Sequence, residues 1–383
     1  MIDNYIHHVF GDSFPKLFSA ITGIAEKKTN CNNTPLFYDR KSKQYWNKMN
    51  FRTLRFLTKN FTIISKAAFC LKLPYFIFYR SRGRSSNDHT ISSKKELVIM
   101  PSLNGVVFVN FSDRQVCKIL TPIKAEPEFL NIEEKVFHVI PKHVPEIIKS
   151  GILQNNYLYI IWKYLKPTAS ISFYNWSQYT PEIIDIMFQQ YSAMGVINKS
   201  CEEYLTEIER RLFTCKQKTF LVEINEIKDR IHTLLELYEY DSKNETLYML
   251  HCHGDLVPNN VLSVKGKLYL FDWSLGGWLN AFYDLMIQEF YRADSKFWKR
   301  FKKISKFELL ENQYLRGWGK PFIDRLEALL GTELSIQQIK MGCLISLLEK
   351  SVNSFCRYQH HDINFESGEY ILKLIIKILK NID

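Results

Sequence analysis

The chain of 383 residues has eight cysteines and no CxxC pair among them. That absence argues against a zinc ribbon and against a small disulfide scaffold. No apolar run is long and unbroken enough to span a bilayer. The opening MIDNYIHHVFGDSF lacks the charged start and apolar core of a signal peptide. A cytoplasmic protein with reduced thiols is the expectation. No G-x-S-x-G elbow is present, which removes the common serine-hydrolase architecture. Acidic residues are missing from one long stretch. Between Lys41 and Asn87 stand eleven Lys or Arg and no Asp or Glu, so the rest of the chain carries forty of each sign. The net charge of +11 therefore belongs to that segment. Such a stretch suits an anionic surface: membrane headgroups, an acidic glycan or nucleic acid. No nucleic-acid reading motif accompanies it, so nucleic acid is not expected.

The length suggests two or three lobes. Residues 1–90 read as a basic, partly apolar extension. Within it, 61–79 is apolar but interrupted by Lys66, Lys72 and Pro74. It can lie on a membrane surface, as a peripheral segment at the inner face, or pack as a helix on the main body with its basic face in water. SRGRSSND (81–88) reads as a linker. Three short Val/Ile/Phe-rich runs follow, 96–101, 105–111 and 115–120, separated by turn-like SLN and SDR. The spacing then predicts a helix over 126–140 and a buried strand at the start of 157–167. Beyond this the chain is mainly helical, over 180–197, 201–213, 222–240, 281–295, 322–330, 335–356 and 368–380, with one hairpin-like insert at 260–273. Strands first and helices later predict an α+β protein of two lobes, a β-rich N-lobe at 91–165 and a helical C-lobe at 166–383.

Chemistry concentrates in HCHGDLVPNN, residues 251–260. His251 and His253 alone do not make a zinc site, which needs three or four ligands. The pattern His253-Gly254-Asp255-Leu256-x-x-x-Asn260 instead has the spacing of a kinase catalytic loop. Twelve residues later the run LYLFDW delivers Asp272 at the end of a strand. Phosphoryl transfer needs this set: one carboxylate to take the proton of the attacking hydroxyl, then an amide oxygen and a second carboxylate to hold the metal. Taken singly, His253 reads as a core brace, Asp255 as a helix cap and Asn260 as a turn residue.

HGDLVPNNVL, LYLFDW and AFYDL together resemble the aminoglycoside phosphotransferase and choline kinase family, a branch of the protein-kinase-like fold. The resemblance covers roughly 95–356 and is specific at 253–285. It implies ATP and Mg2+ as cofactors, Asp255 as catalytic base with His253 bracing the loop, and Asn260 and Asp272 as metal ligands. Asp284, in AFYDL, takes a structural role. Lys118, in VCKIL, becomes the phosphate lysine. Glu133 or Glu134 pairs with it, and the apolar face marked by Ile132, Val136 and Phe137 favours Glu133. The adenine hinge falls on WKYL (162–165), through backbone groups of Trp162, Lys163 and Tyr164. PSLNG has one glycine where protein kinases have three, which disfavours a protein kinase. Ser274 stands where many relatives carry an acid. Trp278, Phe282, Tyr283, Phe290, Tyr291 and Trp298 are candidates for a pocket wall. Glu289, Asp294 and Glu349 are candidates to meet an acceptor.

The expected activity is transfer of phosphate to a hydroxyl of a small molecule or saccharide. The basic extension points to a cell-envelope or capsule glycan and to polysaccharide biosynthesis. The competing reading is a non-catalytic, kinase-like nucleotide-binding adaptor that docks through the basic segment.

Overall fold

The computed structural model describes residues 34–35, 37–39, 44–46, 90–91, 97–102, 105–120, 128–153, 156–169, 171, 175–214, 229, 246–273, 275–292 and 319–357. The apolar stretch 61–79, the helices expected at 222–240 and 368–380, and Ser274, Asp294 and Trp298 lie outside these residues, Asp229 apart. So do the side chains of Glu289, Phe290 and Tyr291. The chain divides into two compact units. The first holds residues up to Leu130 and Pro145–Lys166. The second holds Asn131–Val144 and the chain from Pro167 onward.

The first unit is built on an antiparallel sheet in the order β2-β3-β5-β6-β7-β9-β8. Its centre is the expected meander: β5 (Leu97–Ser102), β6 (Gly105–Asn110) and β7 (Gln115–Leu120). β-branched and aromatic side chains suit these pleated, half-buried positions. β9 (Leu158–Lys163) pairs with β7 and is buried along five of its six residues. β8 (Ile147–Ile152) closes one edge. At the other edge stand β2 (Phe37–Asp39) and β3 (Gln44–Trp46), so part of the N-terminal ninety residues belongs to this sheet. A separate pair joins β1 (Thr34–Pro35) to β4 (Thr90–Ile91).

The second unit is mainly helical. α1 (Glu128–Val139) begins in the first unit and runs into this one, where Val136, Ile140 and Val144 join the large core. α2 (Trp176–Met194) buries Ile183, Met187 and Tyr191 on one stripe, the four-residue spacing of an amphipathic helix. α3 (Cys201–Thr214), α4 (Tyr283–Arg292), α5 (Gly319–Leu330) and α6 (Ile336–Arg357) follow, and α6 is buried on all sides from Met341 to Lys350. Three strands absent from the sequence reading, β10 (Ile197–Ser200), β11 (Thr246–Cys252) and β14 (Gly277–Asn280), form a small antiparallel sheet. The expected hairpin is β12 (Val261–Val264) with β13 (Lys267–Leu270). Among the described residues no helix is long and apolar enough to cross a membrane.

Candidate active site

β11 delivers the motif. It ends at Cys252, and the chain turns at Gly254 (φ 81°). A Cβ at Gly254 would lie 2.0 Å from the Leu275 carbonyl oxygen, so only glycine fits here on two counts, dihedral and space. Asp255 follows, half-buried. A single 3-10 turn, Pro258–Asn260, then brings Asn260 back to it. The Asn260 Nδ2 group donates to the Asp255 carbonyl (2.8 Å) and to Asp255 Oδ2 (3.1 Å). One amide thus fixes both the backbone and the carboxylate of Asp255.

The loop is held from beneath by Asp284, the second residue of α4, which is fully buried. Its carboxylate accepts the backbone N–H of His253 (2.6 Å), that of Gly254 (2.8 Å) and the hydroxyl of Tyr191 (3.1 Å). Burial pushes the Asp284 carboxyl above the usual range, while nearby His253 and the three donors pull it back. The Tyr191 hydroxyl is driven well above its ordinary value by burial and by Asp284, so it stays a neutral donor.

His253 connects this loop to the strand end that carries Asp272. Its Nδ1 accepts the Asp255 N–H (3.4 Å) and its Nε2 reaches the Phe271 carbonyl at 3.1 Å, a pairing that selects the Nε2–H tautomer. Phe271 N–H also donates to the Asn260 carbonyl at 3.1 Å. The ring packs on Trp273 with centroids 4.3 Å apart. At 1% exposure His253 is closed to a substrate, and its contacts are those of a brace. Asp272 follows Phe271 with φ 68°, a left-handed conformation that a non-glycine residue adopts at a cost of about 1–3 kcal/mol. Trp273 is fully buried, and its backbone N–H donates to Glu133 Oε1 at 2.8 Å. Glu133, one of the two acids proposed on α1, therefore touches the Asp272 segment.

In the sheet unit, Lys118 stands at the middle of β7, 2% exposed, with Val107 opposite on β6 and Ile160 opposite on β9. At the expected hinge, Lys163 N–H donates to the Glu146 carbonyl (2.9 Å) and Tyr164 N–H to the Arg114 carbonyl (2.7 Å). Both are spent as donors. Leu165 carries the first backbone N–H past the strand that makes no such bond among the described residues.

Three of the other residues singled out by sequence have structural surroundings. Phe282 and Tyr283 lie in the core. Glu349 is fully buried; it accepts from Arg211 at 2.9 Å and from the Tyr204 hydroxyl. Trp278 is 40% exposed and meets the His251 ring edge-on at 5.7 Å. His251 is a residue whose character the motif did not reveal. Burial pushes it down to about 4, with nearby Lys135 adding to the effect, and Gln190 Nε2 donates to both its carbonyl (2.6 Å) and its Nδ1 (3.2 Å). It is a neutral structural histidine.

Among the described residues no three His, Cys, Asp or Glu side chains gather into a metal cage. Magnesium does not require one, since it binds through one or two protein oxygens together with phosphates and waters. Asn260 spends its NH2 on Asp255, so its Oδ1 is the atom it could offer a cation, and Asp272 has a carboxylate in the adjoining segment. The donor set fits a hard cation.

No family model matches the chain, and no match was found among curated proteins. Solved structures do match. LicA in complex with AMP is 14% identical, with a TM-score of 0.50 over 76% of this chain and 95% of that one. Choline kinase LicA from Streptococcus pneumoniae is 13% identical, TM-score 0.48, covering 70% and 89%. Aminoglycoside phosphotransferase APH(4)-Ia is 14% identical, TM-score 0.44, covering 82% and 99%. The similarity to LicA, together with a small antiparallel-sheet unit and a larger helical one, gives this chain the two-lobed, kinase-like α+β fold that its catalytic-loop motif implied.

Proposed function

We propose that the chain is a magnesium-dependent phosphotransferase. It moves the terminal phosphoryl group of a purine nucleoside triphosphate, ATP or GTP, to a hydroxyl of a small molecule or saccharide. The observation that carries this reading is the knot joining residues 253–260 to Phe271. Asn260 orients the Asp255 carboxylate, while His253 and Asn260 both bind the backbone beside Asp272.

Asp255 accepts the proton of the acceptor hydroxyl as its oxygen attacks the terminal phosphorus, and the bond to the bridging oxygen breaks to release the nucleoside diphosphate. Asn260 and Asp272 would hold the magnesium ion, which would supply positive charge to offset that of the phosphates. Lys118 contributes a further positive charge, and Glu133 or Glu134 orients it. The rate gain comes from positioning and charge stabilisation.

The acceptor we favour is a cell-envelope or capsule glycan, with the protein held peripherally at an anionic membrane face. The support is the acid-free basic segment from Lys41 to Asn87.

The test compares wild type with Asp272→Ala for nucleotide binding and slow hydrolysis, with and without Mg2+. Magnesium-dependent binding that the variant loses is expected. Absence of ATP and GTP binding to the wild type refutes the reading. Replacing Arg52, Arg55, Lys59, Lys66 and Lys72 by Gln, which spares β3, should abolish binding to anionic vesicles. Unchanged vesicle binding removes the membrane part.

A further inference from the structure

The indole Nε1 of Trp162 is buried and has no hydrogen-bond partner among the described residues. Buried Trp N–H groups normally find an acceptor, and an exception asks for an explanation. Among the described residues Trp273 carries a second such indole N–H, fully enclosed against His253; both donor atoms are covered, but the Trp162 residue as a whole keeps 7% exposure near the end of β9.

The register defines the neighbourhood of Trp162. It stands opposite Val116, and Ile160, two residues earlier, stands opposite Lys118. Directly opposed residues of an antiparallel pair share a face, as do residues two apart on a strand. Trp162, Ile160 and Leu158 therefore share a sheet face with Val116, Lys118 and Leu120. The apolar members of this set form one cluster, which offers the indole no acceptor. The face carries a cation at Lys118 and, about 7 Å further along the strand, a solitary donor in apolar surroundings. Just beyond stands the Leu165 N–H, with the Lys163 and Tyr164 N–H groups already spent. A flat, largely apolar ring with acceptor atoms on its edge, joined to a phosphate chain, matches that order.

Building on the phosphotransferase reading above, we propose that the Trp162 indole N–H reads the nucleobase by donating to the oxygen at position 6 of a 6-oxopurine. Trp162 is then a specificity-determining residue that favours guanine or hypoxanthine nucleotides over adenine nucleotides. The 6-amino group of adenine would face it donor to donor, and a site built to make a hydrogen bond rejects the analogue that cannot make it.

The experiment is equilibrium binding of GTP, ITP and ATP, with Mg2+, to the full chain and to Trp162→Phe. ITP keeps the 6-oxygen without the 2-amino group, so it isolates position 6. Wild type should bind GTP and ITP roughly tenfold more tightly than ATP, the scale of one hydrogen bond. Trp162→Phe should bring the three affinities within about twofold of one another. ATP binding as tight as GTP in wild type overturns the proposal, and so does a preference that survives in Trp162→Phe. If the variant does not fold, the wild-type ratio alone decides. Binding of all three without preference defeats the role of Trp162 and leaves the phosphotransferase reading standing; binding of none defeats both.

Discussion

The two regions that supply the proposed active-site residues are held by different means. Lys118 sits in the middle of a sheet, with paired strands on either side. Its position is set by backbone ladders, which no single side chain controls. Asp255, Asn260 and Asp272 lie on irregular backbone and are fixed by side chains that reach main-chain groups: Asp284, Asn260, His253 and Glu133. A ladder spreads its cost over many bonds. The loop concentrates its cost in a few buried polar atoms, whose loss leaves their partners unsatisfied. The helical unit should therefore be sensitive to single polar substitutions, and the Lys118 region should not be.

Asp284→Ala puts the largest strain on this contrast. It deprives two buried backbone N–H groups and the Tyr191 hydroxyl of their acceptor at once. Removing one side of a buried charged arrangement costs about 3–5 kcal/mol, and a loss near 4 kcal/mol is expected by urea unfolding. Phosphoryl transfer should fall with it, even under conditions where the variant is folded, because Gly254 and Asp255 lose their anchor. A loss below about 1 kcal/mol would show that Asp284 is not what holds the loop.

Next in size is the pH response of His251, which reads out the burial at the start of the motif. Its ordinary value is 6.5, and in the folded protein it is lowered to about 4. Above pH 6.5 the ring is neutral in both states. As the pH falls toward 4 the unfolded chain takes up a proton that the folded chain refuses, so stability drops across that window. The full loss is about 3 kcal/mol by linkage. His251→Leu should flatten this part of the stability–pH curve. It leaves the Gln190 bond to the backbone carbonyl in place. An unchanged slope in the variant would place the titrating group elsewhere.

The motif that named Asp255, Asn260 and Asp272 was legible because its residue types and spacing are set by local backbone geometry. Gly254 must be glycine to pass the Leu275 carbonyl, and Asn260 must be five residues from Asp255 to cap its carbonyl. The β5–β6–β7 meander was legible from its β-branched runs and short turns. β8, β10, β11 and β14 were not. β8 reads IIKSGI, in which the apolar residues do not alternate, and β10 has four half-buried or exposed residues. β11 is buried on both faces toward its end, and a short apolar run gives no period to separate strand from helix. Long-range partners were equally hidden. Nothing in the spacing connects Glu133 to the Trp273 backbone, 140 positions away, or distinguishes His251 from His253. Those depend on tertiary packing. The strand leading to the expected hinge was legible in sequence, but the donors already spent there, on Glu146 and Arg114, are set by strand pairing and became visible only in three dimensions.

The smallest effect tests the ladder side of the comparison. Val107 stands directly opposite Lys118 and is half-buried. Val107→Ala removes two methyl groups and some β preference but no ladder bond, so it should cost only about 1 kcal/mol. Nucleotide affinity should stay within about twofold of wild type, which on the scale of one hydrogen bond is negligible. Wild-type-like binding in Val107→Ala beside a failed loop in Asp284→Ala would establish that Lys118 is placed by backbone and Asp255 by side chains. A loss of nucleotide binding in Val107→Ala comparable to that in Asp284→Ala would mean that Lys118 depends on the packing of its cross-strand neighbour. The sheet would then be as fragile a support as the loop, because a lysine ammonium at the end of a four-carbon stem is positioned by what packs along that stem as well as by the strand beneath it.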